Sequence, residues 1–401
     1  MLSNTIPPLS ADVRYLKSSV GAQLVGRQRV AEFCVNRKNQ LWQAFSGQAR
    51  RVNDRIVNAD VKLDLMQGYT DEFVDERTEI MPDILEWIRR ETTTRRARWT
   101  RRGSGTFTPS VVSSSDEEEE QSDDQLKLLN NALKTLDLKS GNDSTEQTQS
   151  LPRLKQYVQN ADVVADRSVI SKIASSPYDT KLFKDFSVKV ACILFKGVLF
   201  LCEFPTDIRQ EGTATLGFHQ RRALYWATTS KIWSPLSNNR SHGKTPIKIL
   251  FGGTVDALSP NGRAFMQLKV QYKSIGHNPF KFEQKCLKWF LQCYLEGTRD
   301  ILVGIRDQKG LVFRTELLAV DDLPIMVANG TNAWTTTPCL TFMHIFLKYV
   351  RKHLEELPEG VILMADRKPK RSEFEFQVLN NDHAEYPQHN FLSDEFKKCF
   401  A

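Results

Sequence analysis

The run Gly252-Gly253-Thr254-Val255-Asp256, followed eleven residues later by Gln267-Leu268-Lys269, constrains this chain more than any other feature. Residues 247–251 and 264–270 read as strands rich in Ile, Leu, Phe and Val, with Ser259-Pro260-Asn261-Gly262 between them as a turn. Such a hairpin brings Asp256, Gln267 and Lys269 near one another, and the strand period of two puts Gln267 and Lys269 on one face. In metal-dependent nucleases one strand carries an Asp and the next an acid-x-Lys. The carboxylates hold Mg²⁺ against the scissile phosphate, and the Lys orients water or steadies developing charge. Here Asp256 and Lys269 are in place, and the second acid is replaced by the amide of Gln267. Taken alone, the pattern also fits an exposed strand end.

Other segments extend the pattern. Residues 62–71 read Lys-Leu-Asp-Leu-Met-Gln-Gly-Tyr-Thr-Asp. Residues 163–167 end in Arg167 and are followed by Ser175-Ser176-Pro177-Tyr178-Asp179. Residues 195–201 form an apolar strand-turn-strand around Lys196-Gly197. A helical stretch from Lys285 carries Gln292, and residues 303–310 continue the series. Together, from about Val61 to the C-terminus, these segments resemble the DXO family of RNA 5′-end decapping and exonuclease enzymes. The resemblance implies a single α/β domain with mixed sheets flanked by helices. It also implies a pocket lined by Arg167, Arg221, Asp256, Gln267, Lys269 and Gln292.

The departures from the family pattern are chemical. The family holds its metal with four carboxylates, and three of those positions correspond here to Arg221, Thr254 and Gln267; only Asp256 is retained. Four carboxylates suit a strongly hydrated divalent cation, whereas Asp256 beside Arg221, Arg167 and Lys269 makes a neutral-to-positive pocket that attracts phosphate. The expectation is therefore no metal, no cofactor and no catalysis: a pseudoenzyme that binds an RNA 5′ end. Its pattern of loss is similar to that of a degenerate family member in the Rhino–Deadlock chromatin complex at germline piRNA clusters. That likeness implies a nuclear protein with Rhino- or Deadlock-like partners, acting in piRNA-precursor transcription against termination, splicing or decay. The runner-up readings are a divergent metal-dependent decapping enzyme or 5′–3′ exonuclease, and an adaptor that binds only protein.

Composition agrees with a globular chain: 401 residues, 40% hydrophobic and 26% charged, with a net charge of +7 compatible with RNA. Seven cysteines without a Cys-x-x-Cys pair read as reduced core thiols, and no apolar run approaches a membrane span. The expected division is 1–60 as an N-terminal extension, 61–91 and 156–401 as the domain, and 92–155 as a disordered insertion. That insertion carries an Arg-rich block, then acids at 116–124. It reads as a solvated loop, a segment phosphorylated at Ser113, Ser114 or Ser115, or an RNA-contacting arm. The run Arg367-Lys368-Pro369-Lys370-Arg371 reads equally as a nuclear-import signal or a charged hairpin turn.

Overall fold

In this computed structural model the described residues are 6–16, 23–31, 33–36, 41–44, 51–65, 80–101, 153–182, 187–206, 232–242 and 247–400. The strands run in chain order as follows: β1 Leu9–Ser10, β2 Gln23–Ala31, β3 Phe33–Asn36, β4 Leu41–Ala44, β5 Asp60–Asp64, β6 Val163–Asp166, β7 Val188–Phe195, β8 Val198–Phe204, β9 Ile232–His242, β10 Ile247–Val255, β11 Ala257–Leu258, β12 Phe265–Tyr272, β13 Asp300–Arg306, β14 Leu311–Ala319, β15 Ile362–Arg367 and β16 Glu373–Leu379. The long helices are α1 Ile80–Arg101, α2 Arg167–Leu182, α3 Pro279–Glu296 and α4 Thr336–Glu355. Nine strands form one mixed sheet in the order β1-β16-β15-β7-β8-β6-β10-β9-β2. Five form a second, β11-β12-β13-β14-β5, and β3 pairs with β4.

The large sheet is buried on both faces, as alternation along β7 shows. Val188, Val190 and Cys192 enter the core shared with α2, α3 and α4. Ala191, Ile193 and Phe195 enter a second core, formed with α1 and the C-terminal residues Leu392, Phe396 and Phe400. On α1, Met81, Ile84, Leu85, Trp87 and Ile88 are buried, the apolar face that the sequence predicts from their spacing. Each such side chain stabilises the fold by about 1.5–3 kcal/mol, which makes this sheet a rigid platform.

Local chemistry sets the boundaries. α3 starts at Asn278, whose side chain accepts from the Lys281 amide at 3.0 Å. It has Pro279 in its first turn and ends at Gly297 with φ of 77°. The β7–β8 turn places Lys196 and Gly197 at φ of 47° and 73°, the two-residue geometry whose twist suits a hairpin. The β13–β14 hairpin is likewise where the sequence expects it.

Two expectations change. The strands at 247–251 and 264–270 are not a hairpin: β10 lies in the large sheet between β6 and β9, while β12 lies in the small sheet. β12's antiparallel neighbour across the Ser259–Ala264 turn is the two-residue strand β11, and its other neighbour is the parallel β13. Asp256 is the joint at which the chain passes from one sheet to the other. Secondly, α1 continues past residue 92 to Arg101 and a helix Arg153–Tyr157 follows, so regular structure enters both ends of the span expected to be disordered. By compactness residues 93–151 form a separate unit from the rest of the chain. The acidic block and the three serines lie outside the described residues. The basic run at 367–371 begins in β15 and leads into β16, the hairpin turn that is one of its two sequence readings, and Arg367 is buried within it. Cys192, Cys202, Cys286, Cys293 and Cys339 are buried free thiols. Among the described residues no helix is long and apolar enough to cross a membrane.

Candidate functional site

The site forms where three connections meet. β6 runs parallel to β10, with Gly252 opposite Asp166, and turns at Asp166 directly into α2, whose first residue is Arg167. β10 hands over to the small sheet at Asp256. β12 and β13 are parallel neighbours joined by the crossover helix α3, so Gln267 and Lys269 of β12 face Gln292 and Glu296 of α3. In open α/β sheets the carboxyl ends of parallel strands are where ligands are received.

Lys269 Nζ donates to Gln267 Oε1 at 2.9 Å and to Gln292 Oε1 at 3.0 Å, and it lies 3.8 Å from Asp256 Oδ2. Gln292 Nε2 donates to Gln267 Oε1 at 2.9 Å, while Gln267 Nε2 donates to Glu296 Oε2 at 3.1 Å. Asp256 Oδ2 accepts from the Leu268 amide at 2.9 Å, and its Oδ1 is buried with no hydrogen-bond partner. Arg167 makes an ion pair with Glu296. A Cβ at Gly253 would stand 3.0 Å from the Arg167 guanidinium, which explains why that strand position carries no side chain. Asp166 accepts from the Ser168 amide and caps the start of α2.

Burial dominates the electrostatics. It holds the Lys269 ammonium below its ordinary pKa against the opposing pull of Asp256. It lowers that of Arg167 against Asp166 and Asp256, and raises that of the Asp166 carboxyl. The neutral-to-positive pocket expected from the sequence counts Arg221, which lies outside the described residues. Asp166 and Glu296 join Asp256, so three carboxylates stand against the two cations Arg167 and Lys269. Glu296 escaped notice because nothing in its local sequence separates it from a helix-end acid; the β12–α3–β13 crossover brings it to Gln267.

Arg167, Asp256, Gln267, Lys269 and Gln292 thus come together as expected. Arg221 lies outside the described residues, as does the segment around it. Thr254 is described by its backbone, opposite Trp233 on β9. Of the acids left over in the sequence, Glu203 is taken by Lys172 and Glu316 by Arg314, and Glu211 lies outside the described residues. Among the described residues no three His, Cys, Asp or Glu side chains converge as metal ligands. A hard divalent cation takes about six oxygens, several of them carboxylate or water. The described donor set offers one uncommitted carboxylate oxygen, Asp256 Oδ1, so it does not by itself fit such an ion. What it does offer is a donor–acceptor pair. Two of the three N–H groups of Lys269 are engaged by the glutamines, and 3.8 Å from its Nζ lies Asp256 Oδ2, on a carboxylate whose Oδ1 has no hydrogen-bond partner. Such a pair can orient a water, the ammonium donating to its oxygen while the carboxylate accepts its proton.

Residues 240–397 match the family described as RAI1 like PD-(D/E)XK nuclease. The decapping nuclease dom-3 of Caenorhabditis elegans is 26% identical over 240 residues, 53% of this chain and 58% of its own length. The decapping and exoribonuclease protein of Xenopus laevis is 25% identical over 217 residues, 47% of this chain and 53% of its own. The chain therefore spans little more than half the length of these relatives. The fold is that of Rai1. The Scheffersomyces stipitis Rai1 crystallised with (3'-NADP)+ and calcium ion superposes with a TM-score of 0.61 at 15% identity, covering 100% of this chain and 99% of that one. Candida albicans Rai1 in complex with pU5-Mn2+ gives 0.60 at 15% identity, covering 98% and 99%.

The expectation that the chain is no enzyme is corrected by these comparisons. The relatives it matches are named as nucleases, and the matched family is a nuclease family. The physical reason the sequence misled is that lost acids were read as a lost site. The remaining groups instead form a hydrogen-bonded cluster of Gln267, Lys269, Gln292 and Glu296, with Asp256 3.8 Å from the Lys269 ammonium.

Proposed function

We propose that this protein acts on the 5′ end of RNA as a divergent decapping enzyme or 5′–3′ exonuclease. The observation that carries the reading is the Lys269 ammonium 3.8 Å from Asp256 Oδ2, on a carboxylate whose other oxygen has no hydrogen-bond partner, beside Arg167, Gln267 and Gln292. Similarity to named decapping nucleases supports it. Arg167 supplies a planar fork for phosphate oxygens when it exchanges Glu296 for the RNA end. The test incubates purified protein with 5′-monophosphate and 5′-capped RNA in EDTA, Mg²⁺ or Mn²⁺, following binding and product together. Product that disappears with Asp256→Ala is expected. Bound RNA that stays intact under every condition sinks the catalytic reading.

A second, finer reading is favoured by the amide at Gln267 and the Thr at 254, where the family pattern has acids. In this pattern the chain resembles Cutoff of the Rhino–Deadlock–Cutoff complex. On that basis we propose a nuclear role in which the pocket holds the 5′ end of piRNA-precursor transcripts while Rhino- or Deadlock-like partners tether the chain to chromatin. Cross-linking in germline nuclei, with recovery of unspliced cluster transcripts only from protein carrying Lys269, supports this role. Purely cytoplasmic protein excludes it.

A further inference from the structure

Beyond the pocket, the same strand and the same helix continue toward a group of cations that no described acid offsets. Gln267, Lys269 and Gln271 share one face of β12 by the period of two. On α3, Lys285 precedes Gln292 by seven residues, two helical turns, and so lies on the same side about 10 Å away along the axis. The two elements touch again there: Lys285 Nζ donates to Gln271 Oε1 at 2.9 Å. Around Lys285 stand Lys281, in the first turn of α3, and Arg306, at the end of β13. Burial lowers the pKa of Lys285 first, and repulsion from Arg306 and Lys281 lowers it further. Lys273 completes the group. It adopts φ of 63°, and its ammonium lies 5.4 Å from the centroid of the Tyr272 ring, with the Arg306 guanidinium 5.6 Å from the same centroid. Lys273 and Lys281 are exposed. Among the described residues none of these four cations forms an ion pair with a carboxylate, and Arg306 and Lys281 repel Lys285.

We infer that Lys273, Lys281, Lys285 and Arg306 form a track for the RNA backbone downstream of the pocket, with Tyr272 placed for base stacking. The inference rests on the proposed action at RNA 5′ ends. Uncompensated cations leading away from a phosphate-binding pocket suit a single strand, whose phosphates are spaced along its length and whose bases stack on aromatic faces without sequence preference. Lys285 carries a second role, since its bond to Gln271 ties the track to the strand that bears Lys269.

The test compares a 5′-phosphorylated dinucleotide with a 5′-phosphorylated twelve-nucleotide RNA, binding each across a salt series. The full chain is used as wild type, as the exposed pair Lys273→Gln/Lys281→Gln, and as Lys269→Gln. The double variant should bind the dinucleotide as wild type does but the longer RNA roughly tenfold more weakly at low salt. Its slope of log affinity against log salt should fall by about 1.4, since a single strand releases about 0.7 of a counterion per phosphate. Equal losses on both RNAs, no loss on either, or a wild type that binds neither overturn the track. So does an effect of the double variant confined to an acidic protein ligand. If Lys269→Gln leaves binding untouched while the double variant still flattens the salt slope, the pocket reading fails and the track stands. An unchanged thermal midpoint for the double variant keeps its loss from being attributed to unfolding.

Discussion

Gln267 of β12 donates from Nε2 to Glu296 Oε2 at 3.1 Å, while its Oε1 receives hydrogen bonds from Lys269 and Gln292. An amide serves both roles because it carries a donor and an acceptor; a carboxylate in its place only accepts. The side chain that reads in sequence as a lost metal ligand is thus the hub that joins the Lys of one element to the acid of another.

Gln267→Glu should therefore put two carboxylates face to face and cost about 1–3 kcal/mol of stability without added metal. It also adds the second acid that the Asp256 side lacks. Titration with Mn²⁺ should raise the melting temperature of the variant and leave wild type nearly unmoved. A variant as stable as wild type and indifferent to Mn²⁺ argues against the hub.

Arg167→Ala should be among the most damaging single changes at this site. It leaves Glu296 buried without its guanidinium, a situation that costs about 3–5 kcal/mol. Arg167→Lys should recover only part of this, because an ammonium lacks the planar fork. Denaturant unfolding of the two variants measures both effects, and equal stability of all three proteins refutes the pairing.

Lys269→Gln removes the ammonium that lies 3.8 Å from Asp256 Oδ2 while keeping hydrogen-bonding capacity toward the two glutamines. Affinity for 5′-monophosphate RNA should fall roughly tenfold or more, as expected for losing a charge-assisted bond. Affinity for the same RNA with a 5′-hydroxyl should change little. Fluorescence anisotropy with the two RNAs checks the difference, and a parallel loss on both means that Lys269 does not read the terminal phosphate.

Asp179 gives a pH signature away from the site. It is fully buried, accepts from Ser175 Oγ at 2.8 Å and faces Arg367 at 3.4 Å; burial, only partly offset by Arg367, raises its pKa from 3.8 to about 6. A carboxyl whose folded pKa lies above its unfolded one holds its proton more tightly when folded. Its contribution to stability is present below the unfolded value and is lost as pH rises through about 6. Wild type should lose up to about 3 kcal/mol from this group between pH 4 and 6.5. Asp179→Asn should lack that component, which urea unfolding across this range detects as a flatter pH profile.

Much of the fold was legible before any coordinates. The apolar spacing on α1, the Lys196-Gly197 hairpin, the helix bearing Gln292 and the pairing of Gln267 with Lys269 on one face all depend on local periodicity and turn chemistry, which a sequence carries explicitly. Strand pairing and the place of Glu296 were not legible, for one reason. Residues 247–251 and 264–270 were taken for partners because they are neighbours in sequence, yet β10 pairs with β6 from some eighty residues earlier, and β12 pairs across a helix with β13. Glu296 is not legible as a site residue because it reaches Gln267 only through that crossover.

The sequence by itself determined which chemistry is possible: an Asp, a Gln-x-Lys, an Arg after a buried strand and a helix Gln. The tertiary structure alone decided which of these groups satisfy one another. It spent the amide of Gln267 on Glu296 and left one oxygen of Asp256 without a partner. It also aligned Lys285 and its neighbouring cations with the strand that bears Lys269. Hydrogen bonding and charge balance are pairwise and act over a few ångströms, so they depend on which segments become neighbours in space, and that is set by sheet order and crossover rather than by any local run of residues.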